Sequence, residues 1–580
     1  MRLRDRALIG ALSIALIGLS IAALGPTLQT SGSEEVEPTL PISPARAYVE
    51  GVLGRATNAS PFGARSAADR ALVALLYRGL VRLGPGSSIV GDLATRWDVD
   101  ESGRSWTFHL RPDQFWEDGQ PITAADVAFT VGVLADPLYT GPGAESWRDV
   151  TAVVIDPLTV ELRLTTPLGG FLQAATQPIA PAHVLAGVPP DLISEDPFGT
   201  DPIGSGPFRL VVLDRVRAVL AAAAPVEPPG SPGGPNFATP RPTDSLLTPS
   251  PTKRPDVAVP HLANVELRFY DDLELLRGDW EAGRLDAVSG LQPAAAREFA
   301  AAGEARLVRY PGTTLLAATI NLRANRDDFQ DASVRRALLL AIDRDALLSS
   351  ALGDLGTRAD SLIPPSSTMY DAGVNTPVAF DLQAGRRALR DADWRASGGS
   401  WIPKDEDEPL VIELLSPEEA VNPVAYAAAV GVRDAWHELG LAVRLVPLPP
   451  TDLIGDRLAR GDFQVAVLPL AIGLDPDLYP LMAASQTRSG GSNVAGLQDP
   501  ELDELLVAAR TPVDATARAT AYSELQERLV ANTYILPLAF RDEYVVFRDT
   551  VEGPQPRPIG GSWERFWDVL TWRLADGSQA

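Results

Sequence analysis

The chain of 580 residues has no cysteine and very little histidine. The absence of cysteine excludes disulfides, thiolate metal sites, cysteine nucleophiles and attachment of a lipid to a cysteine. No two of the four histidines lie three or four residues apart, which is the spacing of a histidine metal site on one helix; they are His109, His183, His261 and His437. We therefore expect no metal and no other cofactor.

Motifs of common hydrolases are also absent. The chain has neither a Gly-x-Ser-x-Gly elbow nor a His-Glu-x-x-His helix. The turn Gly204-Ser205-Gly206 is not a phosphate loop, because no Lys-Ser or Lys-Thr follows it and Pro207 lacks a backbone donor. These absences indicate a protein that is not an enzyme.

Basic residues are few compared with acidic ones, so the formal net charge is −25 and the isoelectric point about 4.6. A nucleic acid partner is excluded, since phosphates are neutralised by Lys and Arg. Adhesion to anionic lipid is disfavoured for the same reason. The acidity is typical of a protein that stays soluble outside the cell, and attraction of cationic ligands is the alternative.

The N-terminus carries a run of 19 uncharged residues, 7–25, preceded by Arg2, Arg4 and Arg6. As a helix this run would be about 28 Å long, close to the thickness of a bilayer core. The arginines then place the rest of the chain outside the cell. We expect residues 1–25 to be a transmembrane anchor, with a cleaved signal segment as the alternative. Residues 26–45 are rich in Pro, Ser, Thr and Glu and are predicted to be a flexible stalk.

Residues 225–260 differ from their surroundings, because eleven of these 36 residues are proline. Such a segment buries too little apolar surface to offset the entropy lost on ordering. We expect a disordered insert, and a proline-rich recognition motif is the alternative.

The rest of the chain reads as two mixed α/β regions. In the first, residues 106–130 hold an alternating strand, a turn and a helix that Thr123 caps. Trp106, Phe108 and Trp116 in this stretch are predicted to lie in the core. Other predicted helices are 67–77, 178–184, 272–283, 331–352, 380–392, 423–439, 501–510 and 515–530, and other predicted strands are 150–154, 159–164, 265–270, 410–415, 442–446 and 534–538. On helix 331–352, Arg335, Arg336, Asp343 and Arg344 are predicted to form surface ion pairs.

Several blocks of sequence occur in an order that resembles one family. They are Leu76 to Val81, Leu93 to Trp97, Trp106 to Thr130, Asp201 to Leu210, and Val334 to Arg344 with Asn321 before it. Together they are similar to the extracellular solute-binding proteins of family 5, the peptide-, nickel- and oligosaccharide-binding components of ABC importers. The resemblance runs from about Ser60 to about Phe540 and is interrupted by the proline-rich insert.

The resemblance implies a periplasmic-binding-protein type II-like fold, with two α/β lobes around a cleft and two crossover strands between them. The crossovers are expected near 265–269 and 534–538. The domains that follow are the anchor or signal segment 1–25, the stalk 26–45, the first part of lobe I at 46–267 with the insert 225–260, lobe II at 268–535, and the end of lobe I at 536–580.

The resemblance also implies a function and partners. The chain is expected to be a monomer at the cell surface or in the periplasm that captures a peptide or another small polar solute by lobe closure and delivers it to a membrane permease. The alternative is a surface-anchored interaction, sensor or chaperone-like protein that keeps the fold without transport.

Three loop segments at strand ends are candidates for ligand contact, because loops at strand ends commonly carry binding residues. They contribute Ser60 and Phe62, then Thr313 and Thr314, and finally Asp475, Asp477 and Tyr479; Arg488 is added for a neutral or acidic ligand. In the peptide-binding relatives an acidic residue usually stands three positions before the Asp-Pro pair and binds the peptide ammonium. Here that position is Ile472, which makes a peptide ligand less certain and leaves Asp475 or Asp477 as substitutes.

Overall fold

The computed structural model describes residues 46–223, 260–488 and 490–575. The expected anchor, the stalk and nearly all of the proline-rich insert lie outside the described residues. Within the described part of the chain, no helix combines the length and the apolar character needed to cross a membrane.

Most strands belong to one sheet of eleven strands, and four others form a separate antiparallel sheet. In chain order the strands are β1 (Tyr48–Leu53), β2 (Val81–Leu83), β3 (Ile89–Gly91), β4 (Ala94–Val99), β5 (Ser105–Leu110), β6 (Val150–Asp156), β7 (Thr159–Leu164), β8 (Phe208–Leu213), β9 (Arg217–Ala222), β10 (Asn264–Tyr270), β11 (Ala287–Ser289), β12 (Ala305–Ile320), β13 (Gly356–Arg358), β14 (Arg395–Ser397), β15 (Ser400–Ile402), β16 (Val411–Pro417), β17 (Ala442–Leu448), β18 (Val465–Ala471), β19 (Ile535–Arg548), β20 (Val551–Glu552) and β21 (Arg573–Leu574).

The large sheet has the order β17-β16-β18-β12-β19-β11-β1-β10-β9-β8, with β13 also paired to β19. The small sheet has the order β4-β5-β7-β6. The helices are α1 (Ala67–Leu76), α2 (Ala124–Ala135), α3 (Ala144–Trp147), α4 (Phe171–Ala174), α5 (Ala182–Leu185), α6 (Leu273–Glu281), α7 (Pro293–Ala301), α8 (Ala332–Leu340), α9 (Arg344–Leu352), α10 (Leu382–Asp391), α11 (Pro423–Leu439), α12 (Tyr479–Met482), α13 (Pro500–Arg510) and α14 (Ala515–Asn532), with a π-helix at Thr451–Leu458 and a 3₁₀ segment at Ser562–Thr571.

The stretch from Trp106 to Thr130 folds as predicted. Alternate residues of β5 point into the core, with Trp106 and Phe108 buried. Helix α2 begins with a capping box. The Asp126 carboxylate accepts a hydrogen bond of 2.8 Å from the Thr123 N–H, and the Thr123 hydroxyl accepts one of 3.3 Å from the Ala125 N–H. Trp116 in the intervening turn is also fully buried. The segment is therefore scaffold, as its pattern indicated.

Two large hydrophobic cores organise the described chain. The first is built mainly from β1 to β10 and the C-terminal residues 545–572, and the second from residues between 315 and 540. The two longest strands, β12 and β19, contribute to both cores and pair with each other along most of their length. We propose that the chain passes between the lobes along these two strands, which would move the first crossover from the predicted 265–269 to β12 and leave the second, 534–538, at the start of β19. The lobe boundaries after residues 267 and 535 stay predictions.

The C-terminal residues close the first core around a buried ion pair. Arg565 donates a hydrogen bond of 2.6 Å to Glu50 on β1, and both side chains are almost fully buried. The Tyr48 hydroxyl donates to the other oxygen of Glu50 at 2.9 Å. Burial, together with the charge of Glu50, raises the pKa of Tyr48 well above its usual value, so the phenol stays a donor. The tail is thus fixed to the first strand of the fold.

The predicted surface helix 331–352 is wrong in two respects. It is broken into α8 and α9, and Asp343 caps the second helix. Arg335 and Arg344 are buried instead of exposed. The Arg335 guanidinium donates to backbone carbonyls, including Asn532 at 2.6 Å, and Arg344 pairs with Asp360 at 2.8 Å. Charged side chains with partners distant in sequence can be buried, which helix periodicity does not reveal.

Candidate functional site

A polar strip lies on the sheet between the two cores. At this level Thr314 of β12 pairs with Ala471 of β18 on one side and with Arg541 of β19 on the other. Residues directly paired across strands point to the same face of a sheet. Ala471 is exposed, Thr314 is half-buried, and 40% of the Arg541 side chain is exposed. We call Thr314, Ala471 and Arg541 the groove floor.

The neighbours of the groove floor show that it separates the cores. Every second residue of β19 lies on the same face. Ala539 therefore shares this face before Arg541, and Glu543 and then Val545 share it after Arg541. Ala539 belongs to the second core, whereas Val545 belongs to the first. The floor is therefore the stretch of shared strand that neither core covers.

The floor carries a pair of opposite charges on one strand. Arg541 donates a hydrogen bond of 2.7 Å to Glu543, whose side chain is 18% exposed. Burial lowers the pKa of Arg541, but the charge and hydrogen bond of Glu543 raise it, and the net pKa lies above its usual value. The guanidinium therefore stays charged, and it retains donors beyond the one that Glu543 accepts.

The lobes also touch through contacts that involve neither β12 nor β19. The Gly169 N–H donates a hydrogen bond of 2.8 Å to the carbonyl of Arg510 at the end of α13. Gly170 lies against the carboxylate of Asp475: an added Cβ would be 2.8 Å from Oδ1 and closer still to Oδ2. We call Gly169, Gly170, Asp475, Arg510 and Arg518 the contact end.

The charged side chains of the contact end are joined in ion pairs. Arg518 on α14 donates to both carboxylate oxygens of Asp475, with Nη1 2.7 Å from Oδ2, and its side chain is only 9% exposed. Arg510 pairs with Asp477 at 3.0 Å, and its guanidinium carbon lies 4.5 Å from the ring centre of Tyr479. The acids of this segment therefore already have cationic partners.

The surroundings of Asp477 change the pKa of its carboxyl group. Burial raises its pKa, and the nearby Arg510 lowers it less than burial raises it, so the net pKa lies above the ordinary value. Its carboxylate also accepts a hydrogen bond of 3.1 Å from the Tyr479 N–H. The Tyr479 hydroxyl in turn contacts the Ser485 hydroxyl at 2.9 Å.

The structure brings two of the three predicted ligand segments together. The carbonyl of Thr313 accepts a hydrogen bond of 3.3 Å from the Ile472 N–H, which joins the segment at Thr313 and Thr314 to the start of the segment containing Asp475 and Tyr479. The side chain of Ile472 is buried in the second core. This residue therefore offers a ligand no polar group from its side chain.

The remaining predicted residues are placed elsewhere. Ser60 and Phe62 are buried on the side of the first core, where the carbonyl of Phe62 accepts a hydrogen bond of 3.0 Å from the Tyr139 hydroxyl. Its ring contacts that of Tyr139 edge-on at 5.9 Å. Arg488 is exposed beyond helix α12. Contact of the eight predicted residues with a ligand stays a prediction.

Residues of both regions went unnoticed in the sequence. Gly169 and Gly170 follow Pro167 and Leu168 at the end of β7, and a glycine pair after a strand is a signal for close approach of another chain segment. Arg541 is a charge within a strand whose preceding residues are apolar, which is a signal for a break in the core. Arg518 gave no signal, because its partner Asp475 is distant in sequence.

Comparisons with known proteins address the family and the fold. Residues 88–492 match the family model of bacterial extracellular solute-binding proteins, family 5. A curated relative, Protein XP55 from Streptomyces lividans, is 28% identical over 461 residues, which are 78% of this chain and 76% of the relative.

Solved structures show the same fold. The oligopeptide-binding protein AppA from Bacillus subtilis, in complex with a nonapeptide, superimposes with a TM-score of 0.69 at 19% identity, covering 91% of this chain and 99% of that one. NikZ from Campylobacter jejuni, in complex with Ni(L-His), gives the same values. The expected fold, periplasmic-binding-protein type II with two α/β lobes, is thereby confirmed. The chain belongs to the bacterial extracellular solute-binding proteins of family 5.

Proposed function

We propose that this protein is the substrate-binding component of an ABC importer, which encloses a small polar solute between two lobes and delivers it to a membrane permease. The observation that carries this function is the groove floor on the two strands that the cores share, where the side chain of Arg541 is 40% exposed. Members of this family are solute-binding proteins, which supports a binding role.

Capture requires that the lobes move, and β12 and β19 are suited to this. Their register shifts between Tyr310 and Thr314 and again between Leu316 and Ala317. Irregular pairing of this kind lets strands bend and twist locally. Solute in the groove favours the closed arrangement because it contacts both lobes only there. The contact end is the place where the closed lobes meet.

The solute is a peptide or another small polar molecule. Relatives with this fold hold a nonapeptide in one case and Ni(L-His) in another. Ile472 stands where peptide-binding relatives usually place an acid, and Asp475 and Asp477 are engaged by Arg518 and Arg510. A peptide would therefore bind here without the usual free carboxylate beside Ile472.

Ligand contact by the eight predicted residues is part of this proposal. Thr314 is supported best, because it lies on the groove floor. Asp475 and Asp477 would act through their arginine partners, and Tyr479 would act from the same segment. The others are Ser60, Phe62, Thr313 and Arg488.

The protein is proposed to work as a monomer outside the cytoplasm. Residues 7–25 would hold it to the membrane as a helix, since a run of 19 uncharged residues after three arginines is long enough to span a bilayer. A stalk at 26–45 would then keep the lobes near the permease.

Native mass spectrometry and thermal-shift measurements with peptides, oligosaccharides and metal chelates test the function. We expect at least one class to bind at micromolar affinity and to raise the melting temperature, because a ligand that binds only the folded state stabilises it. No shift with any class, together with the absence of permease and ATPase genes beside this one, would contradict import and favour the non-transport alternative.

A further inference from the structure

We propose that Arg541 binds a carboxylate group of the transported solute. This inference rests on the proposed function and names the chemical class of the solute. It is argued from the position, the exposure and the partners of one guanidinium group.

Arg541 is placed where a solute between the lobes would contact it. It lies on the face of β19 that is shared with Thr314 and the exposed Ala471, between residues of the two cores. Its backbone is paired with Thr314 of β12 and Gly356 of β13, and its guanidinium is positioned by the hydrogen bond to Glu543. A group held on paired strands is oriented before the solute arrives, which lowers the entropic cost of binding.

The partners of Arg541 differ from those of the arginines at the contact end. Arg518 donates to both oxygens of Asp475 and is 9% exposed, so its hydrogen-bonding edge is occupied. Arg541 donates one hydrogen bond to Glu543 and keeps 40% of its side chain exposed. A guanidinium has five N–H donors. The Nε of Arg541 is buried without a partner and one donor of Nη2 goes to Glu543, which leaves the two donors of Nη1 and the second donor of Nη2 for a solute.

The chemistry of the pair favours a carboxylate. Planar guanidinium matches the two oxygens of a carboxylate, and such charge-assisted hydrogen bonds are stronger than neutral ones. Closure of the lobes removes water and strengthens the attraction further. Arg541 and Glu543 together carry no net charge, so enclosing a singly charged carboxylate beside them leaves less uncompensated charge than enclosing a doubly charged phosphate.

Two sources would present this group, the C-terminus of a short peptide and the acid group of a sugar acid. Matched ligands separate them. Tripeptides are compared with their C-terminal amides, and hexuronic acids with the corresponding hexoses, by isothermal titration of the full-length protein. We expect the acid of one pair to bind about 10- to 100-fold more tightly than its neutral partner, the value of a charge-assisted hydrogen bond.

Variants of the floor give a second readout. Arg541→Met should abolish the preference for the acid, and Arg541→Lys should retain part of it because the charge remains. Glu543→Gln should increase the preference, since it removes a negative charge beside the guanidinium. Arg96→Met on the exposed strand β4 is the control and should leave the preference unchanged. Melting temperatures of all variants show whether each is folded.

The outcomes distinguish this inference from the proposed function. Equal binding of acid and neutral partners to the unaltered protein overturns the carboxylate assignment and leaves solute binding intact. The same conclusion follows if folded Arg541→Met keeps the preference. Binding of no member of the panel contradicts both.

Discussion

The contact end and the groove floor both carry arginines beside acids, but they leave those charges in different states. At the contact end Arg518 holds both oxygens of Asp475, and Gly170 covers the pair from the other lobe. On the groove floor Arg541 meets only Glu543 on its own strand and stays open. A charge that already has a partner and a cover serves structure, whereas an open one is available to a ligand.

The difference teaches how a two-lobed receptor separates closing from recognition. The contact end joins the lobes by a backbone hydrogen bond from Gly169 and by shape, neither of which depends on the solute. The floor offers a charge and hydrogen-bond donors, whose contribution to binding depends strongly on the chemistry of the solute. Mutations at the two places should therefore affect different measurements.

Loss of Arg518 should give the largest effect. Arg518→Met leaves the carboxylate of Asp475 half-buried without its partner, so we expect the free energy of unfolding to fall by about 3 kcal/mol. Denaturant titration measures this. The double variant Asp475→Asn/Arg518→Met removes the unpaired charge and should recover part of the loss; an equal or greater loss in the double variant would show that the ion pair is not the cause.

A change at Gly170 should have a smaller effect and act on closure. Gly170 has a φ of −85°, which any residue adopts, so Gly170→Ala introduces no backbone strain. Its Cβ would nevertheless overlap the carboxylate of Asp475, which two hydrogen bonds from Arg518 hold in place. We expect solute affinity to fall about 10-fold, because apparent affinity scales with the closed fraction.

A matched control for this variant is Gly132→Ala. Gly132 lies inside α2, and an added Cβ would meet no atom within 4 Å. Alanine should stabilise this helix by up to about 1 kcal/mol and leave solute affinity unchanged. If both alanine variants bind solute equally well, closure does not depend on the contact end.

The smallest effect is a pH dependence from Asp477. Burial, opposed by Arg510, raises the pKa of Asp477 above its usual value, so the folded protein binds this proton more tightly than the unfolded chain does. Stability contributed by the protonated form is therefore lost as pH rises from the unfolded pKa through the folded one. Compared with Asp477→Asn, which has no proton to lose, the unaltered protein should lose stability as pH rises above about 4. If the stability of the unaltered protein relative to Asp477→Asn stays constant or increases as pH rises, this direction is contradicted.

Much of the scaffold could be predicted because its signals are local. Thr123 and Asp126 form the predicted cap within one turn, and α11 (Pro423–Leu439) spans the predicted helix from end to end. Each depends on residues close in sequence, so propensity and spacing suffice. The ordered blocks that resemble the family added what local signals lack, namely the arrangement of lobes.

The state of individual side chains was harder to predict, since it depends on partners far away in the chain. Arg335 looked like a surface residue of a helix, yet it donates to the carbonyl of Asn532, about two hundred residues later. Phe62 stands in a loop before α1, where binding residues are common, but its ring packs on Tyr139. Asp475 resembled a free acid until the fold brought Arg518 to it.

One measurement tests most directly whether the lobes close on a solute at the contact end. The absence of cysteine allows two spin labels to be attached at introduced cysteines, Glu101→Cys near Gly103 in the first lobe and Thr516→Cys on α14 in the second. Electron–electron double resonance then reports the distance between the lobes. We predict a long-distance population without solute and a shift to a single short distance when solute binds. In the Gly170→Ala background the long-distance population should persist after solute is added. A distance distribution unchanged by a bound solute would contradict the account.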